Sequence, residues 1–409
     1  AAHAAVGHAV DLAEAQPAAR VGGGAERAEG GPYALARATV GLVEEDGPVR
    51  VAAVGAVHAR LVSTDLPGVY HCAQHAVPAK LDDLRIEIAQ SSSRQDDARE
   101  SRWQRAFVPL QEALPNWPAY TVKGKDFEYV FNKQNIGLAS IKYDDREMLD
   151  GDVDFNFWRA PTDNDFGAFK FKKREQDKAY FNWKEAAKKK ELIDFYAKKS
   201  KEKITFTYNF LHKSVNAHNK ITYEVSASGS LTVSTKLTPL KGKKVPDFMP
   251  RYGISMVFKN DYKNTEYYGE GPFENYLDRN HASKVGVYKA KVSEYYVPYI
   301  RPQENGYRTD ARYLKLLNKS GKGLLFKANG VPFGFSTHHN PTSDFEPSTN
   351  YKNQRHTKDV KPKNKVFLNI DYKQRGVGGD NSWDRRGLAH KQYLINPKKC
   401  GYSFTIIKI

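Results

Sequence analysis

The stretch FNFWRAPTDNDFG, residues 155–167, carries more information about the fold than any other part of the chain. Its first half is dense in aromatic residues, as in the end of a buried strand. Pro161 stops that strand because proline has no backbone N–H to donate. The side chains of residues 163–165 can bond their own backbone in a turn, and Gly167 supplies conformational freedom. The stretch therefore predicts a buried strand end that runs into a shaped loop.

Three further motifs follow in order, which are YYGEGPFENYLDRNHASKVGVY (267–288), YVPYIRPQENGYRTDARYL (296–314) and GVGGDNSW (376–383). With the first stretch, they resemble the C-terminal (fifth, small-chain) domain of the large β-galactosidases of glycoside hydrolase family 2. The resemblance runs from about Leu114 to the end of the chain. It implies an all-β fold, a large antiparallel β-supersandwich similar to the galactose mutarotase-like fold.

The composition excludes several classes of function. The net charge is +17, but the lysines are scattered through polar segments without an element that reads nucleic acid, so we expect no nucleic-acid partner. No apolar run approaches the roughly 18 residues of a membrane span. Cys72 and Cys400 form no disulfide framework, and the His71/Cys72/His75 spacing has no partner pair elsewhere, so we expect no metal site.

Residues 1–110 differ in composition from the rest of the chain. They hold 24 Ala but one Lys, with 11 basic and 14 acidic residues, whereas the other 299 residues hold 53 basic and 33 acidic ones. No single folding requirement explains so abrupt a change. We therefore predict an irregular Ala/Gly/Arg-rich segment over 1–110, of separate coding origin and without an assigned function, and a folded domain over 111–409.

Hydrophobic periodicity supports the all-β prediction for the second part. One helix is predicted over 173–192, which is rich in Lys, Glu and Ala. Alternating patterns predict short strands at near-regular spacing, as in a large antiparallel sandwich. The predicted strands are 120–122, 127–131, 136–143, 203–211, 220–227, 231–237, 251–258, 312–317, 323–327, 366–372 and 402–409, with Gly229 in a hairpin turn.

Trp383 is the candidate carbohydrate-binding residue. The three glycines of GVGGDNSW allow a loop that presents an aromatic plate, and an indole can stack on the apolar face of a pyranose. On the residues alone, a core aromatic is an equal alternative. The resemblance implies that this Trp lines the sugar site. We assign supporting roles to Asp380, Glu304 and Asn305.

The resemblance implies that Arg159, Asp163, Asn164, Asp165 and Gly167 form a mobile loop beside the active site, with Gly167 at its hinge. The structural alternative is that Arg159 pairs with a carboxylate while the aspartates cap the loop. We favour a loop-shaping role over direct chemistry.

Two further groups of polar residues have structural and functional interpretations. Charges embedded among aromatics favour buried or half-buried ion pairs that fix the sandwich. These charged and polar residues are Glu274, Asp278 and Arg279 in the second motif and Glu304, Asn305 and Arg308 in the third. His338 and His339 are acid/base candidates, although paired histidines are more often surface or hydrogen-bonded residues.

The chain lacks the signature of the family's catalytic residues. Retaining glycosidases need two carboxylates about 5–5.5 Å apart, which the family carries on a barrel, in an Asn-Glu pair and a Cys-Glu-Tyr run. The chain contains neither sequence. A barrel also takes about 250 residues, more than the segment before the resemblance offers. We expect no catalytic residue in this chain and no measurable hydrolysis by the chain alone.

The resulting interpretation is a C-terminal domain or small subunit of a β-galactosidase that binds a β-galactoside or other sugar. A barrel chain of the same enzyme would be its partner, in a hetero- or homo-oligomer. The family's Mg²⁺ and Na⁺ sit mainly on other domains, so no cofactor is expected here. The alternatives are a mutarotase-like epimerase, with His338 or His339 as base and Glu304 as acid, and a non-catalytic carbohydrate-binding module.

Overall fold

The structure is a computed structural model, and it describes residues 51–52, 85–89, 119–169, 175–346 and 355–409. The strands are β1 (Val51–Ala52), β2 (Arg85–Ala89), β3 (Ala119–Lys123), β4 (Phe127–Phe131), β5 (Leu138–Tyr143), β6 (Arg146–Glu147), β7 (Asp154–Asn156), β8 (Glu191–Lys199), β9 (Lys203–His212), β10 (Ala217–Ser226), β11 (Leu231–Pro239), β12 (Arg251–Lys259), β13 (Asn264–Gly271), β14 (Lys284–Lys291), β15 (Arg308–Ala311), β16 (Tyr313–Leu317), β17 (Gly323–Ala328), β18 (Phe333–His338), β19 (Lys365–Gln374) and β20 (Gly401–Lys408). The α-helices of these ranges are α1 (Asp163–Phe169), α2 (Glu175–Ala186) and α3 (Thr342–Phe345). Short 3₁₀ turns cover Lys213–Val215, Val292–Tyr295, Thr357–Asp359, Arg385–Gly387, Lys391–Tyr393 and Pro397–Lys399.

Three antiparallel sheets build the part of the chain that the structure describes. The largest has the order β1-β8-β9-β10-β11-β20-β17-β16-β13-β14. The second has the order β15-β18-β19-β12-β7, and the third has the order β2-β3-β4-β5-β6. Alternating burial along strands such as β10 and β11 shows why they form, since one side chain in two faces the core. The all-β prediction is confirmed.

Aromatic contacts join the largest and the second sheet face to face. Tyr252 of β12 meets Tyr402 of β20 with ring centroids 6.0 Å apart, and Phe335 of β18 meets Tyr267 of β13 at 5.1 Å. The third sheet packs on the largest through Phe131, whose ring stacks on Phe206 at 4.3 Å. The core is therefore a sandwich interior rich in aromatic residues, whose large buried areas dominate such packing.

Several predicted elements are confirmed, and others need correction. The hairpin of β10 and β11 has Gly229 in its turn at φ +79°, as predicted. The helix predicted over 173–192 is too long, because α2 ends at Ala186 and β8 begins at Glu191. β8 pairs with β9 along most of its length, and this pairing overrides the helical composition of its first residues. Strands β13, β14 and β18 were not predicted.

The prediction for residues 1–110 lies almost entirely outside the described residues. The exceptions are β1, which pairs with β8, and β2, which pairs with β3. Whether 1–110 and 111–409 are separate units therefore stays a prediction.

The pairing of β12 with β19 defines two ends of the sandwich. Arg251 lies opposite Gln374 at one end, and Lys259 lies opposite Lys365 at the other. We call the first end the site rim and the second end the lysine rim. With about 3.3 Å per residue, the nine residues of β12 separate the two rims by about 26 Å.

Candidate functional site

Helix α1 begins with a capping box. The Thr162 hydroxyl accepts a hydrogen bond from the Asp165 backbone N–H at 3.3 Å, and the Asp165 carboxylate accepts one from the Thr162 N–H at 3.0 Å. This finding corrects the loop prediction for the second half of FNFWRAPTDNDFG. Strand β7 ends at Asn156, ahead of Pro161, but a helix rather than an irregular loop starts at Asp163.

Arg159 connects α1 to residues 376–383, which we call the Trp383 loop. Its guanidinium is 1% exposed and binds both carboxylate oxygens of Asp165, at 3.0 and 3.1 Å. It also donates to the carbonyl of Arg375 at 2.5 Å and to that of Gly376 at 3.1 Å. One buried cation therefore fixes the start of the helix and the start of the loop together.

Asp165 is a buried carboxylate between two arginines. Its second cation is Arg375, which binds Asp165 Oδ1. Burial opposes ionisation, but the charges of Arg159 and Arg375 outweigh it and hold the pKa of Asp165 below its ordinary value. Asp165 is therefore an anion at neutral pH, and its position marks it as a structural counter-ion.

A second buried group of charges lies behind this pair. Arg251 binds Glu304 at 2.8 Å and Asp371 at 3.1 Å, and Gln374 donates to Glu304 at 2.9 Å. Arg159 donates to Gln374 at 3.4 Å, which joins the two groups. Burial raises the pKa of Asp371 to about 7 and also raises the pKa of Glu304. These residues form an internal ion-pair framework at the site rim, which we call the buried framework.

The Trp383 loop is held on one side by a carboxylate. Asp278 accepts hydrogen bonds from the backbone N–H groups of Val377 at 3.0 Å and Gly378 at 2.8 Å. The aspartate comes from the GPFENYLDR motif, about a hundred residues before the loop. The prediction that Asp278 belongs to an ion pair is therefore corrected. Asp278 instead shapes the glycine-rich turn by binding its backbone.

Helix α1 holds the loop on its other side. Asn164 donates to the carbonyl of Asn381 at 3.3 Å and accepts from the Ser382 hydroxyl at 2.9 Å. Gly167 lies so close that a Cβ there would stand 1.7 Å from the Ser382 carbonyl oxygen. The structure therefore gives Gly167 a packing role inside a helix, because only glycine permits this approach.

Trp383 projects from this braced loop. Its indole is 70% exposed, while its backbone N–H donates to Asn381 Oδ1 at 3.2 Å. The alternative of a core aromatic is therefore wrong. A large apolar plate held out by a fixed backbone is the geometry needed for stacking on a sugar ring, and that role stays a prediction.

The other predicted residues surround these. Asp163 accepts from Arg301 and Gln303, each at 3.0 Å. Asp380 lies on the Trp383 loop, is exposed and contacts His390 at 2.7 Å. Asn305 is buried and accepts from the Val297 N–H at 3.2 Å. The structure thus places Asp163, Asn164, Gly167, Asp380 and Trp383 at the surface of the site rim, and Arg159, Asp165, Glu304 and Asn305 beneath it.

The structure agrees with the ion-pair interpretation for Glu274 and Arg279 and differs from it for Arg308. Glu274 pairs with Arg279 at 2.5 Å, whereas Arg308 donates to the neutral hydroxyl of Tyr267 at 3.2 Å. Sequence reasoning missed five residues of the site, which are Arg251, Arg301, Asp371, Gln374 and Arg375. Three of these had a signal, since Arg301 lies within YVPYIRPQENGYRTDARYL and Gln374 and Arg375 directly precede GVGGDNSW.

Each of the two candidate histidines contacts a backbone carbonyl group. His338 is buried, its Nε2 contacts the carbonyl of Asn305 at 3.0 Å, and burial lowers its pKa to about 4. His339 contacts the carbonyl of Lys365 at 2.8 Å, at the lysine rim. A neutral, enclosed His338 gives no support to the epimerase alternative.

The described residues contain no cluster of three or more His, Cys, Asp or Glu suited to a metal ion. Cys400 is a buried free thiol. His71, Cys72 and His75 lie outside the described residues, so the expectation of no metal and no cofactor stays a prediction. Within the described ranges, no helix is long and apolar enough to cross a membrane.

The fold and the site together define an all-β sandwich protein that presents a braced aromatic residue at one rim. A family model described as the β-galactosidase small chain matches residues 123–406. The chain therefore belongs to the β-galactosidase small-chain family.

Relatives described as β-galactosidases are much longer than this chain. A β-galactosidase of Priestia megaterium is 27% identical over 325 residues, which cover 76% of this chain and 30% of that protein. One from Alteromonas mediterranea is 31% identical over 297 residues, which cover 69% of this chain and 27% of that protein. The chain thus spans less than a third of the length of these relatives.

Solved structures whose backbone resembles that of this chain include two described as epimerases. A galactose 1-epimerase from Lactobacillus acidophilus has a TM-score of 0.40 at 7% identity, covering 80% of this chain and 99% of that one. A putative aldose 1-epimerase from Escherichia coli has a TM-score of 0.37 at 9% identity, covering 71% and 99%. Likeness at these scores carries no argument about function.

Proposed function

We propose that this chain binds carbohydrate and completes the active site of a β-galactosidase that hydrolyses terminal β-D-galactosides. The observation that carries the proposal is the Trp383 indole, 70% exposed on a loop that is braced on both sides. Exposed aromatic plates of this kind bind the apolar face of a sugar, while nearby polar groups bond its hydroxyls. Membership of the small-chain family and the names of the relatives support the choice of galactosides.

The contribution of this chain is positioning rather than proton transfer. A sugar held in one orientation against Trp383 would meet the reactive groups without the entropy cost of finding them. The buried framework suits that task, because it ties α1, the Trp383 loop and the second sheet into one rigid unit. It offers no open acid/base pair, since Glu304 and Asp371 are buried and bound to Arg251.

The catalytic carboxylates come from a barrel in the same enzyme, as another chain or another part of a longer one. The retaining reaction then uses two carboxylates about 5–5.5 Å apart on that barrel. This chain holds no cofactor and contributes no catalytic residue. It approaches the barrel with its site rim, so that Trp383 lines the sugar-binding cleft.

The first test measures sugar binding by the purified full chain. Lactose titrated against the chain should perturb the Trp383 signals in NMR spectra, and Trp383→Ala should weaken binding by about tenfold, the effect of losing one aromatic contact of about 1–1.5 kcal/mol. Trp383→Phe should retain part of the affinity. Phe273→Ala is the matched control, because Phe273 is also an exposed aromatic, at 48%. Equal affinities for the wild type and Trp383→Ala would refute the assignment.

The second test concerns activity and partner. The chain, purified free of host enzyme, should not hydrolyse a chromogenic β-galactoside, and turnover by it alone would contradict the proposal. The tagged chain should copurify from its native source with a larger polypeptide that carries β-galactosidase activity. Sugar affinity through Trp383 without any such partner would instead favour the plain carbohydrate-binding module.

A further inference from the structure

A groove of about 620 Å³ opens at the lysine rim, at the far end of the sandwich from Trp383. Among the described residues that line it, four are lysines, three are asparagines and none is acidic. The lysines are Lys263, Lys291, Lys319 and Lys363. A concave surface lined by one sign of charge concentrates ions of the opposite sign.

The topology brings these lysines together from distant parts of the chain. Lys263 follows β12, and Lys291 is the last residue of β14. Lys319 lies in the turn between β16 and β17, and Lys363 precedes β19. Each comes from a different connection or strand end at the same rim. The convergence is therefore a property of the fold and does not follow from a run of lysines in the sequence.

Three of the four lysines differ from many others on the surface in having no counter-ion. Lys142 binds Glu128 at 2.8 Å, Lys315 binds Glu266 at 2.6 Å, and Lys408 binds Asp126 at 2.6 Å. Within the groove, Lys363 binds Asp344 at 2.7 Å. Lys263, Lys291 and Lys319 have no carboxylate at ion-pair distance in the part of the chain that the structure describes. Their charge is therefore available to a ligand.

The amides of the groove are held in place. Asn260 donates to Asn364 at 2.8 Å, and Asn264 donates to the carbonyl of Asn318 at 3.3 Å. His339 contacts the carbonyl of Lys365 at 2.8 Å, which orients its ring. Fixed amides beside lysines suit a ligand that carries both hydroxyls and anionic groups.

We propose that this groove binds an anionic saccharide, whose carboxylate or sulfate groups pair with Lys263, Lys291 and Lys319. The amides then bond its hydroxyls. Nucleic acid fits less well, because single-stranded nucleic acid is held by stacking of bases on aromatic side chains, and the described lining residues include no aromatic ring except His339. This site lies about 26 Å along β12 from the site rim and is independent of the function proposed for Trp383.

The test is a titration of the full chain with saccharide oligomers of one length at about 0.15 M salt, close to physiological ionic strength. The probes are an oligogalacturonate, a sulfated galactose oligomer and a neutral galactose oligomer, so that the first two separate carboxylate from sulfate. We expect at least one anionic probe to bind, and in the Trp383→Ala background, where the proposed sugar contact at the site rim is removed, the neutral one should bind at least tenfold more weakly. The triple variant Lys263→Gln/Lys291→Gln/Lys319→Gln should weaken anionic binding by about tenfold or more, as expected for three exposed ion pairs.

The matched control removes the same charge from another surface. Lys201, Lys241 and Lys243 are exposed and do not line the groove, so Lys201→Gln/Lys241→Gln/Lys243→Gln should leave the affinity unchanged. The triple groove variant should lose the same factor in the Trp383→Ala background, because the lysine rim lies about 26 Å along β12 from the site rim. Equal losses in the two triple variants, no binding of either anionic oligomer, or equal binding of a single-stranded oligonucleotide through the same lysines would overturn the proposal.

Discussion

The two ends of the β12–β19 pair differ in how their charged side chains are buried and paired. At the site rim, Arg251 is fully buried and bound to Glu304 and Asp371. At the lysine rim, Lys263, Lys291 and Lys319 line an open groove without a carboxylate partner among the described residues. A buried charge must be paired because desolvation is costly, whereas an exposed one keeps its water and needs no partner. The first end therefore provides rigidity, and the second provides charge for binding.

The largest expected effect comes from removing a cation at the site rim. Arg159→Ala leaves Asp165 buried with one arginine instead of two and releases the carbonyls of Arg375 and Gly376. We expect a loss of about 3–5 kcal/mol in the free energy of unfolding, as for a broken buried ion pair. Urea unfolding of the purified chain measures it.

Arg301→Ala is the control for this prediction. Arg301 binds Asp163, but the carboxylate side chain of that pair is 53% exposed, so we expect a loss below about 1 kcal/mol. Similar losses for both variants would contradict the contrast between buried and exposed pairs. Arg159→Lys should fall between them, because it keeps the charge and loses the planar fork.

The second prediction concerns His338, a buried histidine whose effect on the free energy of unfolding is smaller and depends on pH. Burial lowers the pKa of His338 from 6.5 to about 4, so the unfolded chain takes up a proton before the folded one. Above pH 6.5, His338 is neutral in both states and does not change the free energy of unfolding. As the pH falls from 6.5 to about 4, this residue lowers the free energy of unfolding by about 3 kcal/mol in total.

His338→Gln removes this titration. The unfolding free energy of the variant, measured from pH 7 to pH 4, should fall less than that of the wild type by the same amount. His212, whose pKa burial also lowers to about 4, remains in both proteins and drops out of the difference. Parallel pH profiles for the two proteins would show that His338 is not buried as a neutral ring.

The contact between α1 and the Trp383 loop can be disturbed by one methyl group. Gly167→Ala places a Cβ 1.7 Å from the Ser382 carbonyl, so the loop must move even though alanine favours the helix. We expect a net loss of about 1–3 kcal/mol in unfolding free energy and weaker lactose binding. Gly378→Ala is the control, since its Cβ would meet Asp278 at an ordinary 3.7 Å. An equal effect of both substitutions would mean that the close approach at Gly167 does not matter.

The sequence predicts the sheets better than the site for a physical reason. Strands such as β10, β11 and β20 repeat a buried side chain at every second residue, and this signal is local. Strand β13 contains Gly269, ends at Gly271 and is followed by Pro272, so glycine and proline obscure its alternation. Helix α1 had a local signal in the Thr162–Asp165 capping box, but the same residues also favour an Asx turn.

The buried framework has no local signal. Arg159 and the Arg375 carbonyl are 216 residues apart, and Gln374 and Glu304 are 70 apart. The first contact joins the segment after β7 to the residue after β19, and the second joins the end of β19 to the segment before β15, so no single stretch encodes either of them. The motifs pointed to Trp383 and the 155–167 stretch, whereas Arg251, Asp371 and the lysine groove emerge only from the folded chain.

The smallest expected effect is the change in unfolding free energy when lysines are replaced, and it should differ in sign between unpaired and paired lysines. Lysines gathered in one groove repel each other, so Lys263→Gln/Lys291→Gln/Lys319→Gln should raise the unfolding free energy by about 0.5 kcal/mol at low salt and by nearly nothing at about 1 M salt. The variant Lys142→Gln/Lys315→Gln/Lys408→Gln removes the same charge from lysines that bind carboxylates. It should lose about 1 kcal/mol, because it breaks four surface ion pairs, two of them made by Lys408. Because the two variants change the net charge equally, opposite signs can come only from the local partners. A loss of stability in the groove variant would show that its lysines already have counter-ions, and the contrast between the two rims would then fail.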